Sequence, residues 1–192
     1  VCGKGVGRNI CGSNKEEPTM ATKKSLRVLV GICVISAWVF GAALPAGAET
    51  LNYKSYVWMN REESVLVDDV EGHTVVLAQR GGFYVCDNGE LATIKRVSLN
   101  DLTKGAGSAT AYETIKFADG STIMLKSQSA LSGTAGETTS SEGTSEIIKG
   151  TGRFEGIKGT GSYKRRFLPA EKGEAGSKQY GEGTITYTLP PK

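Results

Sequence analysis

The sequence predicts an all-β fold assembled from antiparallel hairpins. Three observations predict it. Apolar and polar residues alternate along most segments after residue 50, Gly supplies 26 of the 192 residues and falls mostly between those segments, and no 3.6-residue helical period emerges there. The segments below are justified in chain order.

Residues 20–48 carry a different signature. Met20-Ala-Thr-Lys-Lys-Ser-Leu-Arg27 is basic, Val28 to Leu44 is apolar, and Ala46-Gly-Ala48 ends the stretch in the A-x-A pattern that a signal peptidase cuts. The expectation is a signal peptide over 20–48 with cleavage after Ala48, an upstream in-frame stretch over 1–19, and a domain over 49–192. Cys33 is preceded by Ile32 and lies inside the apolar run, so it does not fit a lipid-acceptor cysteine. Export places the protein in the periplasm or outside the cell, with no membrane attachment after cleavage.

Removing residues 1–48 changes the charge and the cysteine chemistry. The whole chain is formally +3, but Glu49 to Lys192 holds 17 basic and 18 acidic residues, a net charge of about −1. No basic stripe remains for a nucleic acid, and Lys164-Arg165-Arg166 reads as a solvated strand face. Of four cysteines only Cys86 survives, so no internal disulfide staples the domain. A core of its own must hold it together, and a chain of this length can build one.

Leu51 to Asn60 alternates with large side chains on both faces, which predicts a strand covered on each side. Ser64 to Asp69 and Thr74 to Ala78 read as short strands, with Glu71-Gly-His73 between them. Arg80-Gly-Gly82 separates these from Phe83 to Cys86. Asn88-Gly89 then joins that run to Leu91–Val97 in a hairpin, because both residues tolerate positive φ.

Gly107 to Phe117 and Ser121 to Gln128 form the clearest pair, turning at Asp119-Gly120. Ala109, Ala111, Glu113, Ile115 and Phe117 share one face, which should point inward, and Glu113 is the single acid in that row. Ser129 to Ser145 is rich in Gly, Thr, Ser and Glu and reads as an exposed loop, as does Pro169 to Lys178. Gly181 to Leu189 closes the chain, with Ile185, Tyr187 and Leu189 inward and Pro190-Pro191 ending the strand.

The stretch "GTGRFEGIKGTGSY" mimics a nucleotide-binding loop, but the glycine spacing does not match G-x-G-x-x-G and no helical pattern follows. Lys158 is not part of a G-K-[ST] triplet either. The run reads as two turns with Phe154 plugged inward between them.

With "GTSEIIKG" before it and "GEGTITYTLP" after it, "KGTGRFEGIKGTGSY" resembles the G-T-G-x-F-x-G-x-x-G signature of allene-oxide-cyclase-like and dirigent-like β-barrels. "DVEGH" and "GSATAYETIKFADGSTI" extend the resemblance to secreted bacterial members of that group, and its most specific part covers about residues 143–189. What the resemblance implies is a single antiparallel eight-stranded barrel, here preceded by a signal peptide, with an apolar interior and a dimeric or trimeric assembly. Members of the group include a cyclase of fatty-acid epoxides and proteins that orient phenoxy radicals, and they act without metals by shaping a cavity. No position matches a defined active-site motif.

The candidate catalytic residues are Glu113, as an interior carboxylate, and His73, the one histidine in the chain. His73 follows a turn, where anchoring a loop is the competing role. One His and one mature Cys do not make a usual zinc set, Asp68, Asp69 and Glu71 lack the EF-hand spacing, and no metal or cofactor is expected. Trp58, Tyr84, Tyr112, Phe117 and Tyr187 belong to an aromatic set that either lines a ligand pocket or forms the core itself.

The leading expectation is an exported barrel that binds a small apolar molecule. The alternatives are a cofactor-independent cyclase or isomerase acting through Glu113, and a structural or oligomerisation module with a filled interior.

Overall fold

A computed structural model describes residues 47–134, 137–174 and 176–191. The stretch 1–19 and all but the last two residues of the expected signal peptide lie outside the described residues.

The strands are β1 (Glu49–Leu66), β2 (His73–Cys86), β3 (Leu91–Thr103), β4 (Ala106–Phe117), β5 (Thr122–Thr134), β6 (Glu137–Thr151), β7 (Lys158–Leu168) and β8 (Lys178–Thr188). Each pairs antiparallel with the next, and β8 returns to β1, so the sheet closes into an eight-stranded barrel of the kind the family resemblance implies. Closure leaves no free sheet edge at the β1–β8 seam. Among the described residues the only helical element is a single 3-10 turn, Gly152–Phe154, between β6 and β7.

Four local expectations need correction. Leu51–Asn60 and Ser64–Asp69 are not two strands, because β1 runs through both. A bulge between Met59 and Arg61 shifts its register against β2, and the charged Arg61, Glu62 and Glu63 are simply solvated. Gly81-Gly82 does not break β2 either. A Cβ on Gly82 would lie 2.3 Å from the Tyr56 carbonyl oxygen, so close strand approach, and not a turn, demands glycine there.

The third correction is Ser129–Ser145, whose described residues are not a loop but the ends of two long paired strands, β5 and β6. Its alternation is hidden because the inward residues Ser129, Ser141 and Ser145 are small and polar. The expectation that β1 is covered on both faces also fails within one chain, since Tyr56 and Trp58 are 40% and 45% exposed.

The interior has two unlike halves. At the end holding the β2–β3, β4–β5 and β6–β7 connections, Leu51, Ile94, Ile115, Phe117, Ile123, Leu125, Ile147, Phe154, Ile157 and Ile185 form a continuous apolar core. Phe154 enters as a stopper from the 3-10 turn, its ring centroid 5.0 Å from that of Phe117. Gly152 and Gly156 hold φ values of 64° and 73° around it, and a Cβ on Gly150 would meet the Phe154 carbonyl oxygen at 2.0 Å. The glycine run therefore turns corners, as expected, and places an aromatic plug.

Candidate functional site

The other half of the interior is polar. Alternation along the strands turns Arg80 of β2, Arg96 of β3, Glu113 of β4 and Arg165 of β7 inward, and all four are buried, each at most 5% exposed. Register places Arg80 opposite Arg96 and Arg96 opposite Glu113, so two like charges face one another on neighbouring strands. Arg165 is opposite Gly181, where a Cβ would lie 2.6 Å from its Cγ. The missing side chain at Gly181 is what lets the arginine stem cross the barrel.

Glu113 anchors this cluster. Its Oε1 accepts a hydrogen bond from the Tyr84 hydroxyl, and its Oε2 lies 3.4 Å from Arg165 Nη2. The same Nη2 is 3.4 Å from the Tyr84 oxygen. Tyr53 stacks on Tyr84 with ring centroids 3.9 Å apart, and the Arg165 guanidinium lies 3.8 Å from the centre of the Tyr163 ring.

The titration shifts follow from this crowding. Burial works against the Arg165 charge, but the Glu113 carboxylate with the surrounding tyrosines outweighs it and raises the pKa. Arg96 has no comparable compensation: burial first, and then the neighbouring Arg165, pull its pKa down. Arg80 is lowered to about 10 by burial and then by Arg96. Burial and Glu113 push the Tyr84 phenol well above its ordinary value, whereas at Tyr163 the two guanidiniums Arg96 and Arg165 override burial and lower it.

Several polar atoms here are sealed from solvent without a hydrogen-bond partner: Nε and Nη1 of both Arg96 and Arg165, Ser55 Oγ, Ser141 Oγ and Gln179 Oε1. Such groups are rare in folded proteins, and each calls for a partner, whether an ordered water, an ion or a bound molecule. Toward the mouth from the Arg96 row the interior narrows in side-chain size, not in width. One rung is Ala78, Ser98, Ala111, Ser127 and Ser145, and the next includes Asn100, Ala109, Ser129 and Gly143. The second rung continues to Val76 on β2 and Tyr163 on β7, so small side chains occupy most, not all, of these two levels of a lumen that in an eight-stranded barrel is wide enough for side chains or one small ligand. At the mouth, Arg80 Nη1 donates to the Ser177 carbonyl at 3.2 Å.

The sequence-derived candidates separate on this frame. Glu113 and Tyr84 lie in the cluster. Phe117 and Tyr187 belong to the apolar end, where the Tyr187 ring meets Phe154 edge-on at 6.0 Å and its hydroxyl donates to Glu49 Oε2 at 2.8 Å. Trp58 and Tyr112 are corrected: both sit on even-phase positions that face solvent, at 45% and 51% exposure, and cannot line the interior. Trp58 instead joins Phe83, Tyr56 and Tyr180 in an outer aromatic cluster.

His73 is not brought to Glu113. It lies seven positions from Arg80 along β2, roughly 23 Å at the rise of a strand. Its Nδ1 and Nε2 lie 2.6 and 2.8 Å from the Asp69 and Asp101 carboxylates, which raise its pKa by hydrogen bonding. It fastens the β1–β2 connection to β3. Among the described residues no group of three or more His, Cys, Asp or Glu is arranged to hold a metal ion. A surface groove of about 1230 Å³ runs along β5, β6 and β7, but neither Glu113 nor any of the three arginines lines it.

Sequence reasoning missed the arginines. Arg165 sits in a run, Lys164-Arg165-Arg166, that reads as a solvated face, yet only its neighbours point out. The usable signal was phase: Arg80 shares parity with Val76, Ala78 and Tyr84, Arg96 with Ala92 and Ile94, and Arg165 with Tyr163, all of them inward.

No protein-family model matches the chain, and no curated protein matches it in sequence. Among solved structures it is similar to the pterocarpan synthase dirigent protein PsPTS1, at 13% identity and a TM-score of 0.43 over 74% of this chain and 97% of that one. It is also similar to the pterocarpan synthase dirigent protein GePTS1, at 13% identity and a TM-score of 0.43 over 73% and 88% of the two chains. At that level of likeness the barrel rests on its own strand pairing, and the function rests on its own interior.

Proposed function

We propose that this protein is a small-molecule-binding barrel whose ligand enters at the Arg80 end and lies in the polar half of the interior. One observation carries the reading: small-residue rungs lead to a floor of buried polar groups, several of them unpartnered, while the opposite half is filled by its own aliphatic and aromatic side chains. Leaving such groups unpaired costs about 1–3 kcal/mol each, more for charged ones, and a bound molecule offsets that cost. The expected ligand is therefore not wholly apolar. It needs a polar group for the floor and a compact body for the Ala and Ser rungs.

Glu113 serves in this reading as the structural counter-ion of Arg165, since both of its oxygens are engaged. That assignment weighs against the cyclase or isomerase alternative, which needs a carboxylate free to exchange a proton with the ligand. Export belongs to the same proposal, and the intact mass of secreted protein is expected to correspond to a chain beginning at Glu49.

Native mass spectrometry of protein purified from its own host, followed by denaturing spectrometry, tests the function. A stoichiometric small molecule released on denaturation is the expected result. Protein that carries nothing, and whose melting temperature ignores a panel of acids, phenols and neutral amides, refutes it.

A further inference from the structure

We propose that the ligand is a small organic monoanion, a carboxylate, whose charge is received by Arg96. The inference rests on the small-molecule reading above and adds the chemical class. Three guanidinium groups and one carboxylate are buried in the interior among the described residues. Both Glu113 oxygens are engaged with Tyr84 and Arg165. Arg80 donates to the Ser177 carbonyl at 3.2 Å. Arg96 makes no side-chain hydrogen bond and no ion pair among the described residues, although it is 5% exposed.

Arg165 is paired with Glu113 and Arg80 donates to the Ser177 carbonyl, which leaves Arg96 as the guanidinium without a partner among the described residues. A buried ion without a partner costs several kcal/mol even after the protein relaxes, so the site gains most from a ligand that supplies one negative charge. A planar carboxylate matches a planar guanidinium and forms the stronger, charge-assisted kind of hydrogen bond.

The surroundings suit the rest of such a molecule. The Tyr163 ring centre lies 5.9 Å from the Arg96 guanidinium carbon on one side of the site, and Ala78, Ser98 and Ala111 make up the next rung toward the mouth. The acidic group would sit on the floor beside Arg96, with a short alkyl or aryl body directed toward the opening.

Calorimetric titration of the protein with benzoate and hexanoate, against benzamide and inorganic phosphate, tests the class. At least one carboxylate is expected to bind with one-to-one stoichiometry and at least tenfold more tightly than benzamide or phosphate. Arg96→Met is expected to weaken that binding at least tenfold. If the variant does not fold, the ratio of benzoate to benzamide affinity in the unaltered protein decides alone.

The proposal is overturned if benzamide or phosphate binds as tightly as the better-binding carboxylate, if Arg96→Met binds carboxylates unchanged, or if neutral molecules bind where carboxylates do not. In those cases the barrel is still a small-molecule binder. If no compound of any charge binds and nothing co-purifies, the underlying function falls with it.

Discussion

Replacing Glu113 by Gln removes the only carboxylate buried inside the barrel among the described residues while keeping its shape and one acceptor oxygen for the Tyr84 hydroxyl. Three inward guanidiniums then face one another with no counter-charge, two of them directly across from each other on β2 and β3. Breaking a buried ion pair by neutralising one partner costs about 3–5 kcal/mol, because the remaining charge stays desolvated.

That loss is a large share of the roughly 5–15 kcal/mol that holds a domain folded. For a domain of about 140 residues it lowers Tm by roughly 10–20 °C. Urea unfolding followed by circular dichroism should show a lower midpoint with an unchanged slope, since the surface exposed on unfolding is the same. A double variant, Glu113→Leu with Arg165→Met, should recover most of the loss by removing both charges. A Glu113→Gln midpoint corresponding to less than about 1 kcal/mol of destabilisation would refute the assignment of Glu113 as the structural counter-ion.

Three further outcomes follow from the same coordinates. Gly181→Ala places a Cβ 2.5 Å from the Lys164 carbonyl and 2.6 Å from Arg165 Cγ, so it should destabilise the barrel by about 1–3 kcal/mol in the same urea assay. His73 has its folded pKa raised by Asp69 and Asp101, so its contribution is complete below the ordinary imidazole value and is lost as pH rises through the folded value. The stability difference between the unaltered protein and His73→Gln should therefore shrink between pH 5.5 and pH 9. Cys86 is buried, and burial with Glu90 and Asp87 pushes its thiol up to about 11, so it should stay unreactive toward a disulfide reagent at pH 8 until urea unfolds the barrel.

The parts of the fold that were legible are those where burial and alternation coincide. Ala109, Ala111, Glu113, Ile115 and Phe117 alternate with polar residues and do form the inner row of β4, and Asn88-Gly89 does turn β2 into β3. Ser129–Ser145 was illegible because the inner row there is serine, which is indistinguishable in composition from a loop. Arg61–Glu63 concealed the continuity of β1 for a related reason: charges on a strand that extends past the mouth look like a turn.

The site divides in the same way. Glu113 stood out as an acid in an apolar row, whereas Arg80 and Arg165 sat among glycines and other charges that suggested turns and solvent.

The sequence by itself determined the all-β class, the hairpin at Asn88-Gly89, the inward path of Glu113 and the role of the glycine run around Phe154, because these depend on period, chirality and steric freedom within a few residues. Only the tertiary structure decided that β8 closes on β1 and that Arg80, Arg96 and Arg165 share one lumen with the carboxylate of Glu113. The first two are opposed by the register of β2 and β3, and Arg165 reaches them across the barrel from β7 over the bare backbone of Gly181. Charges separated by dozens of residues are brought together by ring closure, and no local pattern records which of them will be left without a partner.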